Sequence, residues 1–179
     1  MENTIDYGPL QALIGVWKGN RGLDVAPEPD GAEDNPYYET ITFEPVGDVK
    51  NAGSQHLVVI GYHQVVRRIS DDEVFHDQRG YWIWDAERQT VMHSLMIPRG
   101  VAVLAGGHAK DGVFDVSAKE GATDWGIVQS PFMRDHARTI EFTQRMEVSG
   151  EKLSYSQTTM LDIYGKVFEH TDRNELTRQ

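Results

Sequence analysis

Seven histidines and no cysteine set the side-chain chemistry open to this 179-residue chain. Without thiols there is no disulfide, no Cys-ligated zinc or iron–sulfur cluster and no thiolate nucleophile. Imidazoles and carboxylates are left to carry any proton or metal chemistry. His170 sits in Phe168-Glu169-His170-Thr171-Asp172-Arg173-Asn174. On a strand the two-residue period puts His170, Asp172 and Asn174 on one face, a polar row suited to the head of a ligand. Taken by itself, a histidine in such a row is a hydrogen-bonded wall residue. His76 and Gln78 share a face of another run with Trp82 and Trp84. That face reads as a pocket wall or barrel end, or as outward aromatics meeting a helix or a second copy. His93, with Leu95 and Ile97 on its face, reads as a satisfied histidine lining the same interior. His56 and His63 are an odd number of residues apart and face opposite ways, while His108 and His136 fall in expected turns and should be exposed. No tight cluster of three or four His, Asp and Glu residues stands out as a metal site, and there is no nucleophile elbow, phosphate loop or dinucleotide fingerprint.

The elements that must position these groups are short β-branched and aromatic runs separated by Gly, Asp, Asn and Pro. Tyr7 to Ile14 can form one or two helical turns with Leu10, Leu13 and Ile14 on a common side, and a first strand starts near Gly15. Asp24 to Pro36, with three prolines among acids, reads as a long solvated loop. Strands then follow over Tyr37–Val46, Gln55–Ile69, Glu73–Asp85, Thr90–Ile97, Val101–Gly106 and Val113–Lys119. Trp125–Gln129, Thr139–Val148, Lys152–Tyr164 and Lys166–Arg178 complete the series. Ser70-Asp71-Asp72, Pro98-Arg99-Gly100, Asp111-Gly112 and Ser149-Gly150 supply hairpin turns. The class is all-β: an antiparallel meander of about ten strands, which closes into an up-and-down barrel. Polar and apolar residues mix on both faces of Lys152–Tyr164, which predicts a semi-polar interior cavity with room for a ligand, with a β-sandwich as the alternative.

The charge balance narrows the partners. Lys plus Arg number 17 and Asp plus Glu 28, a net charge of −11, which disfavours nucleic acid and anionic membrane surfaces. No apolar run approaches the roughly 20 residues of a membrane span, and the N-terminus has no basic stretch followed by an apolar one. A single domain over residues 1–179 in a cytoplasmic setting is expected. Trp82, Trp84 and Trp125 are more large aromatics than a small cavity needs, so either an aromatic patch joins two copies as a homodimer or the aromatics lie wholly inside or at the barrel ends.

Leu10-Gln11-Ala12-Leu13-Ile14-Gly15-Val16-Trp17-Lys18-Gly19 resembles the short helix and Gly-x-Trp opening of the calycins, the lipocalin and fatty-acid-binding-protein group. In such an opening Gly15 allows the turn into the first strand, Trp17 plugs the closed end and Gly19 permits strong bending. Tyr38-Glu39-Thr40-Ile41-Thr42-Phe43, His76-Asp77-Gln78-Arg79-Gly80-Tyr81 and Lys152-Leu153-Ser154-Tyr155 follow, with a histidine in the last strand. Their order is similar to that of the nitrobindins, from Leu10 to Arg178.

The resemblance implies a barrel of about ten strands holding ferric haem b through His170, with reversible nitric oxide binding and isomerisation of peroxynitrite as its chemistry. It places Arg178 over the opening tryptophan, while the strand faces read above put His76, Gln78, His93 and Asp172 in the ligand pocket. Three features depart from the family pattern. The glycine series after Trp17 is out of step and is followed by an acidic, Pro-rich insertion. An amide, Gln78, replaces a carboxylate in the His76 motif, and the surroundings of His170 are more polar than a porphyrin site. The competing reading is a carrier or sensor of a lipophilic small molecule without haem, with His76, Gln78 and His170 orienting its polar end.

Overall fold

The computed structural model describes residues 5–179. A short 3-10 helix, η1 (Gly8–Ala12), leads into β1 (Gly15–Glu28), and β2 (Gly31–Ala52), β3 (Gln55–Arg68), β4 (Val74–Asp85) and β5 (Thr90–Ile97) follow as a meander. β6 (Val101–Lys110), β7 (Val113–Lys119), β8 (Ile127–Gln129), the helix α1 (Pro131–His136), β9 (Ala137–Ser149), β10 (Lys152–Ile163) and β11 (Lys166–Arg178) complete the chain. The strands form one sheet in the order β5-β4-β3-β2-β1-β11-β10-β9-β7-β6-β8, and a further β5–β6 pairing closes it. Ten strands make the antiparallel ring. β8 lies outside it, on Val101–Val103 of β6, because β7 pairs only with the later stretch Gly106–Lys110.

The end that carries η1 is plugged. Leu10, Leu13 and Trp17 are fully buried there, the Trp17 indole donates to the Leu13 carbonyl at 2.7 Å, and the Arg178 guanidinium stacks over the indole at 4.2 Å. Arg178 also donates to the carbonyls of Ala12 and Ile14, fixing the helix end to the last strand. Gly15 has φ of +131°, and β1 shifts register between Gly19 and Gly22. A Cβ at Gly19 would lie 2.4 Å from the Glu175 carbonyl oxygen, so the bend depends on the missing side chain.

Three expectations about the chain path and the interior change. Residues Asp24 to Pro36 are not a loop: β1 and β2 continue as a ladder through Leu23↔Pro36 and Asp24↔Asn35 out to Glu28↔Gly31. The prolines fit because the ladder is one-sided there. β11 stops pairing with β1 at Val25, so Pro27 faces a free edge, and Pro36 meets β3 only through its carbonyl, which accepts from the Ile69 amide. Second, Pro131–His136 is helical, capped by the Ser130 hydroxyl accepting from the Met133 amide, with Pro131 in the first turn. Third, the barrel closes around side chains. The interior pocket between Phe43, Tyr62, Trp82, His93, Gln144 and Tyr155, among others, is ≈ 10 Å³, room for about one water.

The tryptophans expected to form an exposed patch do not. Trp82 and Trp84 are buried inside the barrel, and Trp125 packs on Gly106, where a Cβ would come within 2.2 Å of its ring. Exposed apolar side chains lie instead on the outer face, among them Tyr81, Met96, Leu104 and Val128. Among the described residues no helix is long and apolar enough to cross a membrane.

Candidate ligand site at the barrel mouth

Away from η1 the two sides of the barrel differ. On the β6–β9 side α1 tucks Met133 into the core. On the β10–β11 side the inward residues nearest the rim, Thr159, Leu161, Phe168 and His170, are only half-buried, with Phe168 and Leu161 as cross-strand partners, while Asp24 on β1 and Asn35 on β2 beside them are buried.

Just inside that rim a polar row runs around five strands. Its rungs are Asn35↔Asp24, Asp24↔Asp172, Asp172↔Gln157 and Gln157↔Gln144. Asn35 Nδ2 donates to Asp24 Oδ2 at 3.1 Å, Gln157 Nε2 to Asp172 Oδ2 at 3.4 Å and Gln144 Nε2 to Gln157 Oε1 at 3.3 Å. His170, one inward position nearer the rim on β11, donates from Nε2 to Asp24 Oδ1 at 2.5 Å and stands 3.8 Å from Asp172 Oδ2. Asp24, His170 and Asp172 thus bring one ligand-type atom each to within 4.8 Å of one another. This cluster is the one that sequence reading missed, because Asp24 had been placed in a loop. The alternation Asn35, Tyr37, Glu39, Ile41, Phe43 continues straight through Pro36 and was the available signal.

The charges interact strongly. Burial pulls the His170 imidazole down, but the hydrogen bond to Asp24 and the charges of Asp172 and Asp24 outweigh it and hold its pKa above the ordinary value. Burial and the Asp24 carboxylate push Asp172 up, with His170 opposing. His76 is held below its ordinary value by burial, against its hydrogen bond to Gln78.

Behind the row lies a second polar layer. Glu39 accepts from Gln64 at 2.6 Å, Asn174 at 2.7 Å and the Tyr155 hydroxyl at 2.9 Å, and the Tyr155 and Tyr37 hydroxyls meet at 2.6 Å. Burial lifts Glu39 to about 7, although all three donors pull it down. A branch of the same network runs from His76 Nε2 to Gln78 Oε1, from Gln78 Nε2 to Tyr62 and to Gln64 of the Glu39 layer, and from Tyr62 to His93 Nε2. His93 stacks on Trp82 at 4.2 Å, and its Nδ1 and Gln144 Oε1 both lack partners beside the small cavity. Burial drives its pKa down to about 3, so it is neutral. The sequence-expected residues therefore divide: His170 and Asp172 belong to the mouth cluster, His76 and Gln78 lead inward from it, and His93 is deep in the core.

The model of the THAP4-like, heme-binding beta-barrel domain matches residues 6–178. The chain belongs to that family. The THAP4-like barrel is also similar to the crystal structure of Rv2717c from M. tuberculosis, at 21% identity over 97% of this chain and 99% of that one, with a TM-score of 0.67. At that identity the likeness is one of fold. No curated protein matches the chain.

Haem makes demands that the mouth of this THAP4-like barrel does not meet. An axial imidazole needs an apolar slot for the macrocycle in front of its ligating nitrogen. Here His170 Nε2 is spent on Asp24, a second carboxylate stands 3.8 Å away, and both carboxylates are themselves held by amides. The interior pocket beside Trp82 and His93 adds only ≈ 10 Å³. As arranged, the residues around His170 do not fit a porphyrin.

Proposed function

We propose that this protein is a non-catalytic small-ligand-binding barrel that works at its half-open mouth, with His170, Asp24 and Asp172 as the groups that hold a cationic or hydrogen-bond-donating ligand. One observation carries the reading: the three ionisable side chains converge where the wall is half-open, in front of a packed interior. A lipophilic guest held inside, for which sites of roughly 300 Å³ and more are usual, has no such room. Native mass spectrometry of protein purified without additives tests this, comparing wild type with His170→Ala. The expected result is a bound small species retained by the wild type and absent from the variant; identical spectra overturn the reading.

Family membership favours a second reading, in which ferric haem b binds on His170 and the chemistry is nitric oxide binding or peroxynitrite isomerisation. It requires the His170–Asp24 bond to open and the carboxylates to move aside. Hemin titration separates the two: a Soret band that is lost in His170→Ala supports haem on this residue, and a band indifferent to the substitution removes it.

A further inference from the structure

We infer that Asp24, His170 and Asp172 form a binding site for a single divalent first-row metal cation, held without porphyrin. The inference rests on the reading of the mouth as the ligand site and names the ligand class. Metal–nitrogen and metal–oxygen bonds to such ions are about 2.0–2.2 Å, so donors around one ion are spaced up to about twice that. The three donor atoms already lie within 4.8 Å of one another, so small side-chain rotations bring them onto one ion.

Two further features point to a cation. The carboxylates of Asp24 and Asp172 are cross-strand partners on one inward face, and among the described residues the salt bridges of both run to His170 alone, with no Lys or Arg. A cation seated between the two facing carboxylates would pair with both at once. The second feature is the outer layer of hydrogen bonds. Asn35 grips Asp24 through Oδ2 and leaves Oδ1 turned to the cluster, while Gln157 grips Asp172. Ligating carboxylates are oriented by such partners in metal sites.

The donor set also selects the ion. One imidazole with two carboxylates suits Mn²⁺, Fe²⁺, Co²⁺ or Zn²⁺, and three protein ligands leave positions for water. Calcium, which takes six to eight oxygens, is a poor match. When the ion binds, His170 Nε2 gives up its hydrogen bond to Asp24, the displaced proton leaves to solvent, and three metal–ligand bonds replace waters of the hydrated ion.

The experiment uses the whole protein, stripped with a chelator and dialysed, and titrated with Co²⁺ by visible absorption and with Zn²⁺ by calorimetry. One ion per chain is expected, with ligand-field bands in the Co²⁺ form, a higher melting temperature on metal addition, and release of protons in the titration. Asp24→Asn, Asp172→Asn and His170→Ala should each weaken binding at least tenfold, with the circular dichroism of each variant checking its fold. If a variant does not fold, the wild-type stoichiometry and ligand-field spectrum still decide. Absence of binding, or equal binding in folded variants through exposed histidines such as His56 or His108, overturns the proposal. If metal fails but hemin gives a Soret band lost in His170→Ala, the mouth stands as the ligand site and only the metal assignment falls. If neither ligand depends on His170, both fall.

Discussion

Asp24 and Asp172 stand directly opposite each other on neighbouring antiparallel strands, with His170 Nε2 within reach of both carboxylates. In metal-free protein this pairing is a local cost, since like charges facing each other across strands destabilise a sheet by up to about 1 kcal/mol. Asp172→Asn keeps the shape and the hydrogen-bonding capacity while removing one charge. Because Asp172 is raised to about 7, the gain is expected in alkaline solution, where its carboxylate is charged: about 0.5–1 kcal/mol of metal-free stability in urea unfolding; a loss of stability there would show that the His170–Asp172 attraction outweighs the repulsion.

Arg178 ties the last strand to the plug. Its guanidinium covers Trp17 at 4.2 Å and donates to two carbonyls at the end of η1. Arg178→Ala should cost about 2 kcal/mol, from a desolvated cation–π contact and the lost hydrogen bonds. Tryptophan fluorescence should report a more exposed Trp17 in the native state of the variant.

Gly19→Ala places a methyl 2.4 Å from the Glu175 carbonyl oxygen, which is backbone and cannot swing away. Overpacking of this kind costs about 1–3 kcal/mol. Amide exchange should rise along β1 and β11 beside the bulge, while the β4–β5 ladder, which does not touch the bulge, keeps its protection.

Two buried groups act in opposite senses on the pH dependence of stability. His93, depressed from 6.5 to about 3, adds stability above pH 6.5 that is lost as pH falls toward 3. Glu39, raised from 4.5 to about 7, adds stability below pH 4.5 that is lost as pH rises toward 7. Each has a limiting slope of about 1.4 kcal/mol per pH unit, so the two cancel between about pH 4.5 and 6.5. Relative to wild type, His93→Phe should make stability fall as pH rises through that window, and Glu39→Gln should make it rise. Parallel profiles for the wild type and both variants in urea titrations would refute the assignment.

The closed barrel was legible because its information is local. Alternating β-branched and aromatic residues and short turns such as Asp111-Gly112 fix strands and hairpins one at a time, and Gly15 and Trp17 mark the plugged end. The mouth cluster was half legible. His170 and Asp172 share a strand and a face, but Asp24 arrives from a strand more than a hundred residues away. Prolines normally break a ladder, and nothing in Asp24–Pro36 by itself shows that its edge is free and tolerates them. Cavity size was illegible for a related reason: alternation shows which residues point inward, not that Tyr62, Trp82, His93 and Phe142 together fill the space they enclose.

The hairpin that carries Asp24 outward also guards the barrel against its own kind. Beyond Val25 and before Pro36 the two strands form a ladder only with each other, and apart from the Lys166 ammonium on the Glu28 and Pro29 carbonyls their outer sides are an edge on which another chain could add a strand. Pro27 on one side, and Glu33, Asp34 and Pro36 on the other, deny that template donors and surround it with negative charge. Replacing these prolines and acids with β-branched residues would convert the arm that supplies a ligand to the mouth into a seam for fibrillar stacking.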